Sequence, residues 1–179
     1  MNKKKYKEFC KLEENMPIFS CDWWLDTVCG EDNWDVALFE KGGHVYASMP
    51  YYNLKKAWFN LSIMPKLTQT LGIYIKYPED QKYFKKISWE KKSMSAILSI
   101  LPKTDHFSQS FHRKVSNWLP FYWAGYEQTT QYSYLIEPTA DGSMDLVEDG
   151  FENDIRRRIK NTISSGVEVF EGEDIGLFY

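Results

Sequence analysis

Asp105 and His106 stand side by side in LPKTDHFSQSFH, just after Pro102 and ahead of a strand-like stretch. A carboxylate at such a bend can serve as a general base, taking a proton from an attacking amine. The same residue in the same place can cap a turn through neighbouring backbone. His112 follows, with no carboxylate or thiol placed beside it by spacing. A second set is Arg156-Arg157-Arg158-Ile159-Lys160. Its arginines, Arg156 and Arg157 first, can contact a phosphate or form the solvated face of a helix. The third set is the aromatic stretch PFYWAGYEQTTQYSYLIEP, residues 120–138. Its rings can pack in a core, wall a small-molecule groove or stack on bases.

Other chemistries are excluded by pattern. Cys10, Cys21 and Cys29 form no C-x-x-C pair and lie far from His44, His106 and His112, so zinc-ligand spacing is absent and no metal is expected. Three reduced, mostly buried thiols fit a reducing compartment. There is no G-x-S-x-G, no phosphate loop and no dinucleotide fingerprint. A formal charge of −3 and a pI near 5.7 argue against broad phosphate binding, which needs a basic field. The start, MNKKKYKEFCKLEEN, is basic with no apolar region after it, unlike a signal peptide. No apolar run approaches the ~18 residues of a membrane helix. The chain is therefore expected to be cytoplasmic.

The elements that must position these residues read as follows. Residues 3–13 form a short polar helix with Tyr6, Phe9 and Cys10 on one side. Ser20 caps a helix over 21–29, with Trp23, Trp24 and Val28 as its apolar face and Gly30 as its end. The period then changes: WDVALFEKGGHVYASMPYY is two β-rich runs about Gly42-Gly43, a hairpin signal. Val36-Ala37-Leu38-Phe39 is apolar at consecutive positions, which predicts a strand covered on both faces. AWFNLSIM extends the meander after a Lys55-Lys56 turn, and MPKLTQTLG is a loop. Residues 79–101 form a helix with Phe84, Ile87, Met94, Ile97, Leu98 and Leu101 on one face, stopped by Pro102.

Short strands and turns span 104–136. Within them 118–126 is a loop or bulged edge, and Tyr132, Tyr134 and Ile136 alternate as in a strand. Asp141 or Ser143 caps a long helix over about 144–164, and VEVFEG resumes a strand. On that helix Val147, Phe151, Ile155, Ile159 and Ile163 form a stripe facing the core, with Glu152–Arg156 and Asp154–Arg158 as surface pairs. At 179 residues the chain is expected to be a single α+β domain, a mainly antiparallel sheet with helices packed on it.

In order, WLDTVCGEDNWDVALFEKGG, MPKLTQTLG, NWLPFYWAGYEQTTQYSYLIE and DIRRRIKNTISSGVEV resemble the FemAB-like acyltransferases. That family belongs to the superfamily with the GNAT (N-acetyltransferase) fold, and the likeness covers roughly residues 20–170. It implies transfer of an acyl or aminoacyl group to an amine, in characterised relatives from aminoacyl-tRNA to a peptidoglycan precursor. It further implies a GNAT-like first module, the N-terminal half of a longer protein, incomplete without a second module. The apolar ending Gly176-Leu177-Phe178-Tyr179 fits that expectation. The Gln/Arg-x-x-Gly-x-Gly/Ala turn that holds the acetyl-CoA pyrophosphate has no counterpart in this chain, so acyl-CoA binding is not supported by motif. Asp105 is the expected catalytic residue. Gln69, Thr70, Tyr122 and Tyr126 are the expected groove residues. The alternative reading is a non-catalytic module that binds an envelope precursor or a protein partner.

Overall fold

The computed structural model describes residues 2–134 and 150–168. Two compact units divide the chain, residues 1–129 and 130–179.

In the first unit, helix α1 (Asn2–Leu12) and helix α2 (Asp22–Cys29) lead into strands β1 (Trp34–Lys41), β2 (His44–Lys56) and β3 (Phe59–Ile63). A short strand β4 (Tyr74–Ile75), helix α3 (Tyr83–Ile100), strand β5 (His106–Phe107) and helix α4 (Leu119–Trp123) follow. The sheet runs β1-β2-β3-β5, with β4 also on β2. All pairs are antiparallel except β3 with β5. The fold is thus α+β with a mainly antiparallel mixed sheet.

Two cores lie on the two faces of β1. Trp34, Val36 and Leu38 join Tyr6, Phe9, Met16, Leu25, Cys29 and Leu71. Ala37 joins Ala47, Met49, Tyr51, Ile73, Met94, Ile97 and Phe121, with Phe39 packed alongside. The consecutive apolar run was the signature of this two-sided burial. Tyr6 is fully buried, meets the Trp34 ring edge-on at 6.0 Å and donates its hydroxyl proton to the Ser20 carbonyl.

The β1–β2 hairpin turns at Gly42 and Gly43, with φ of 59° and 80°, the left-handed pair that a two-residue turn requires. A bulge follows: Phe39 faces Ala47 while Glu40 faces Val45, leaving Tyr46 as the extra residue. Its ring packs on Trp89 of α3 at 5.2 Å.

Gly72 carries the sharpest constraint. Leu71 and Ile73 would share a face in a regular strand, yet Leu71 belongs to the first core and Ile73 to the second. Gly72 at φ 108° makes that switch, with the Phe111 ring pressed where a Cβ would stand.

Pro50 sits inside β2, opposite Val36 of β1. A proline interrupts a ladder because it has no N–H. Here its carbonyl accepts from Gln109 Nε2 at 2.8 Å, between the stretches of β2 paired with β4 (47–48) and with β3 (52–56).

Several expectations are corrected. Ser20 belongs to a 3₁₀ turn (Ile18–Ser20), and Cys21 is the residue before α2, with no side-chain cap. Leu25 and Cys29 are the buried residues of α2, and Trp23 is exposed. The chain enters α2 from this 3₁₀ turn, whose Ser20 carbonyl accepts from Tyr6. Lys55 and Lys56 end β2, and the turn is Ala57-Trp58, with Ala57 at φ 54°. On α3 the buried residues are Trp89, Ser93, Met94 and Ile97, while Phe84 is exposed because the first turns extend beyond the buried length. Residues 119–123 form a helix started by Pro120, not a loop or bulged edge. Residues 131–134 have no regular structure, and Tyr132 and Tyr134 are fully open to solvent; alternation alone does not supply a partner strand.

In the second unit, helix α5 spans Asn153–Ser164 and so begins later than expected. Glu152 before it is extended, and Phe151 lies outside the helix. Ile155, Ile159 and Ile163 do share a side, but none is buried, since periodicity fixes which residues align and not whether anything packs there. Asp141, Ser143, Val147 and most of VEVFEG lie outside the described residues.

Candidate functional site

Between β4, α3 and the segment 112–117, the first unit holds a cleft of about 400 Å³. Ile73, Ile75, Met94 and Val115 supply its apolar lining. Its polar groups include Tyr77 after β4, Glu90 of α3, and His112, Lys114 and Asn117 of the segment 112–117. A pocket with an apolar floor and a few converging polar groups is the form in which proteins hold small molecules.

Glu90 is the anion of this cleft. Its Oε1 accepts from the Tyr77 hydroxyl at 2.8 Å and its Oε2 from Asn117 Nδ2 at 2.9 Å. Both donors are neutral, and among the described residues no cation pairs with Glu90. Burial, and then the bond and charge of Glu90, push the Tyr77 hydroxyl well above its ordinary pKa, so it stays a donor at neutral pH. Two neutral donors fix the carboxylate without an ion pair among the described residues, with Lys114 elsewhere in the same lining, and each oxygen keeps a free lone pair.

His112 has its pKa lowered by burial, then by the charges of Lys114 and Arg113, and is neutral at pH 7. Its Nδ1 accepts from the Lys114 backbone N–H at 3.3 Å. That contact places the imidazole proton on Nε2.

At one end, the Tyr74 hydroxyl donates to Glu13 at 3.0 Å, and Lys76 pairs with the same carboxylate. Burial, reinforced by Glu13, raises Tyr74 to about 12. The Glu13 carboxylate is therefore neutralised within the fold.

The expected site residues lie outside this lining. Asp105 is exposed, and its Oδ2 accepts from the Asn60 backbone N–H at 2.8 Å while its own N–H donates to the Asn60 carbonyl at 2.9 Å. It thus ties β5 to β3. Gln69 is exposed in the loop, where Thr68 is the anchored residue, accepting from Trp24 Nε1 at 3.0 Å. Thr70 is half-buried two residues on. Tyr126 packs between Phe107 and Phe121 at 5.3 and 5.7 Å, and Tyr122 is exposed against Trp118 at 5.6 Å. The structure brings Tyr126 into the second core's margin and leaves Tyr122 on the surface. In the second unit Asp154 holds Arg157 at 2.6 Å and Arg158 at 2.7 Å, and Arg156 Nε donates to the Phe151 carbonyl at 3.1 Å.

Glu90 does carry a sequence signal. It stands three residues after Ile87 and four before Met94, an acid on the apolar side of a helix. Tyr77 and Asn117 have no comparable signal, because only the tertiary structure brings them to Glu90.

The thiols are not part of the site. Burial raises Cys10 to about 12 and Cys29 to about 11, and raises Cys21 as well. Among the described residues no group of three or more His, Cys, Asp or Glu could hold a metal ion, and no helix is long and apolar enough to cross a membrane.

The chain matches no family model, no curated protein and no solved structure.

Proposed function

We propose that the first unit is the acceptor-holding part of an N-acyltransferase of the FemAB-like kind, a GNAT-like module that positions an amine for acyl or aminoacyl transfer. The observation that carries this reading is Glu90, a carboxylate fixed by two neutral donors and by no ion pair among the described residues, in the lining of an apolar-floored cleft. Such a carboxylate attracts an ammonium and orients its nitrogen, and positioning is the larger part of what amine acylation needs. The His112 Nε2–H would hold a carbonyl or carboxylate oxygen of the same acceptor. An amine-bearing cell-envelope precursor with amide linkages presents both groups. The acyl donor, an acyl-CoA or an aminoacyl-tRNA, would be held largely by a second module.

The commitment of Asp105 to the Asn60 amide favours one variant of this reading. In it the unit binds the precursor, and the base acts from elsewhere or is absent, which makes the chain a non-catalytic binding module.

Calorimetric titration of the chain with a UDP-linked muropeptide, acetyl-CoA and a charged tRNA tests the proposal. The muropeptide is expected to bind, and Glu90→Gln to weaken it by ~1.5–3 kcal/mol, the worth of a hydrogen bond to a charged group. Equal affinity in the Glu90→Gln variant, or acetyl-CoA binding with no muropeptide binding, would overturn it.

A further inference from the structure

Three of the five lysines of α1 are engaged within the fold, while those around the start of α3 have no carboxylate partner among the described residues. In α1, Lys5 pairs with Glu40 and Lys7 with Asp26 and Glu31, while Lys3 reaches the Glu31 carbonyl and lies over the Trp34 ring. Lys82, Lys85, Lys86, Lys91 and Lys92 have no carboxylate partner among the described residues. Lys86 lies only over the Tyr77 ring, at 5.9 Å, and Lys91 over the Trp123 ring, at 5.5 Å. All five are exposed; residues 82–92 contain one carboxylate, Glu90, which lines the cleft, and the exposed Glu79 and Asp80 precede them. A chain of net charge −3 thus carries a concentrated basic patch.

Helix stability does not account for the arrangement. Cations oppose the positive end of a helix dipole, and the first turn of α3 contains no acid. Glu79 and Asp80 stand ahead of the helix, but no ion pair joins either to these lysines among the described residues. A local rule broken in this way points to use elsewhere. Beside these lysines, Tyr83 and Phe84 are 79% and 62% exposed. Adjacent open rings among lysines suit the boundary of a bilayer: the rings enter the headgroup layer while the ammonium groups meet lipid phosphates.

We propose that this patch, KYFKK at the start of α3 with Lys91 and Lys92 beyond it, docks the chain on an anionic membrane surface. Lipid charge selects the site and Phe84 with Tyr83 provides the apolar anchor. The net negative charge of the chain does not prevent this, because attraction to headgroups acts within a Debye length of the patch. The proposal does not depend on what the cleft binds.

Flotation of the full chain with vesicles of phosphatidylcholine, with and without phosphatidylserine, is the test. Binding is expected only with phosphatidylserine and is expected to fall as salt rises. Each lysine replaced by glutamine is expected to lower partition about fivefold, and Phe84→Ser to lower it several-fold while leaving the salt dependence in place. These residues are exposed, so an unchanged urea midpoint confirms that each variant folds. Equal binding to neutral vesicles, no binding to either, or full binding by the Lys82/Lys85/Lys86→Gln triple variant would overturn the proposal. So would binding to a single-stranded oligonucleotide in the absence of vesicle binding, which would assign the patch to nucleic acid.

Discussion

Replacing Gly72 by alanine probes the point where one residue sends its neighbours into different cores. A Cβ there would lie 2.4 Å from Cδ1, 2.9 Å from Cε1 and 3.1 Å from Cγ of Phe111. Carbon atoms in good contact stand ~3.5–4.0 Å apart, so the ring must move. It is hemmed in by the Phe121 ring at 5.0 Å and by the bond from the Leu71 N–H to the Ser110 carbonyl at 2.7 Å. Overpacking of this kind costs ~1–3 kcal/mol. The backbone adds ~1–3 kcal/mol, because φ of 108° is a region that alanine avoids. Together these give a loss of ~2–6 kcal/mol, a large share of the ~5–15 kcal/mol typical of a folded domain. Gly43→Ala is the control: its φ is 80°, with no atom within 4 Å of the new Cβ, so it bears only the backbone cost. Urea unfolding followed by the fluorescence of the seven tryptophans compares the two. At a slope of ~1–3 kcal/mol per molar urea, a contact term near 2 kcal/mol separates the midpoints by about 1 M. Phe111→Leu placed in the Gly72→Ala background should recover part of the loss, a coupling expected of residues in contact. Equal midpoints for the two glycine variants would refute the reasoning.

Asp105→Asn should lower stability by about 1 kcal/mol and speed hydrogen exchange at the Asn60 amide; unchanged exchange there would remove the strand-tying role. Burial works to raise the Asp26 pKa, but bonds from Lys7 and Trp34 and the charges of Lys7 and Lys3 outweigh it, leaving the folded value below the usual one. Its stabilisation is therefore complete above the unfolded value of about 3.9 and is lost as pH falls through the folded value. Acid titration of stability should show this loss in the native chain and not in Asp26→Asn, and parallel curves would count against it. Cys10 and Cys29, raised to about 12 and 11, should react slowly with Ellman's reagent at pH 8 until urea exposes all three thiols. Fast native labelling of both would show that burial does not suppress their thiolates.

What the sequence made legible was local. Gly42-Gly43 names its own turn, Pro102 stops α3, and the run from Val36 to Phe39 announces burial on both sides. What it concealed depends on distant partners. Tyr6 reaches the Ser20 carbonyl from fourteen residues away, which no cap rule near Ser20 could show. The short helix α4 did carry its signal, Pro120 at the start and Gly125 just past the end, but its lack of apolar periodicity led to a loop reading. The candidate site was hardest, because Glu90 acquires meaning only when Tyr77 and Asn117 arrive from separate segments. Of the residues expected to act chemically, Asp105 ties two strands, Gln69 is an exposed loop residue, Tyr122 lies on the surface of α4 and Tyr126 packs at a core margin. Their types suited the chemistry, but spacing could not tell which of them would face a cavity.

Pro50 has a consequence for how the sheet finds its register. The β2–β3 pairing ends at Tyr52↔Ile63, two residues short of Pro50. Were β3 to slide along β2 by one pleat pair toward β4, a β3 carbonyl would face a position that has no proton to give. The misaligned ladder would lose a bond at its centre and would displace Gln109 from the Pro50 carbonyl. The proline thus acts as a mechanical stop on the central strand, confining β3 to one end of β2 and leaving the other end free for β4.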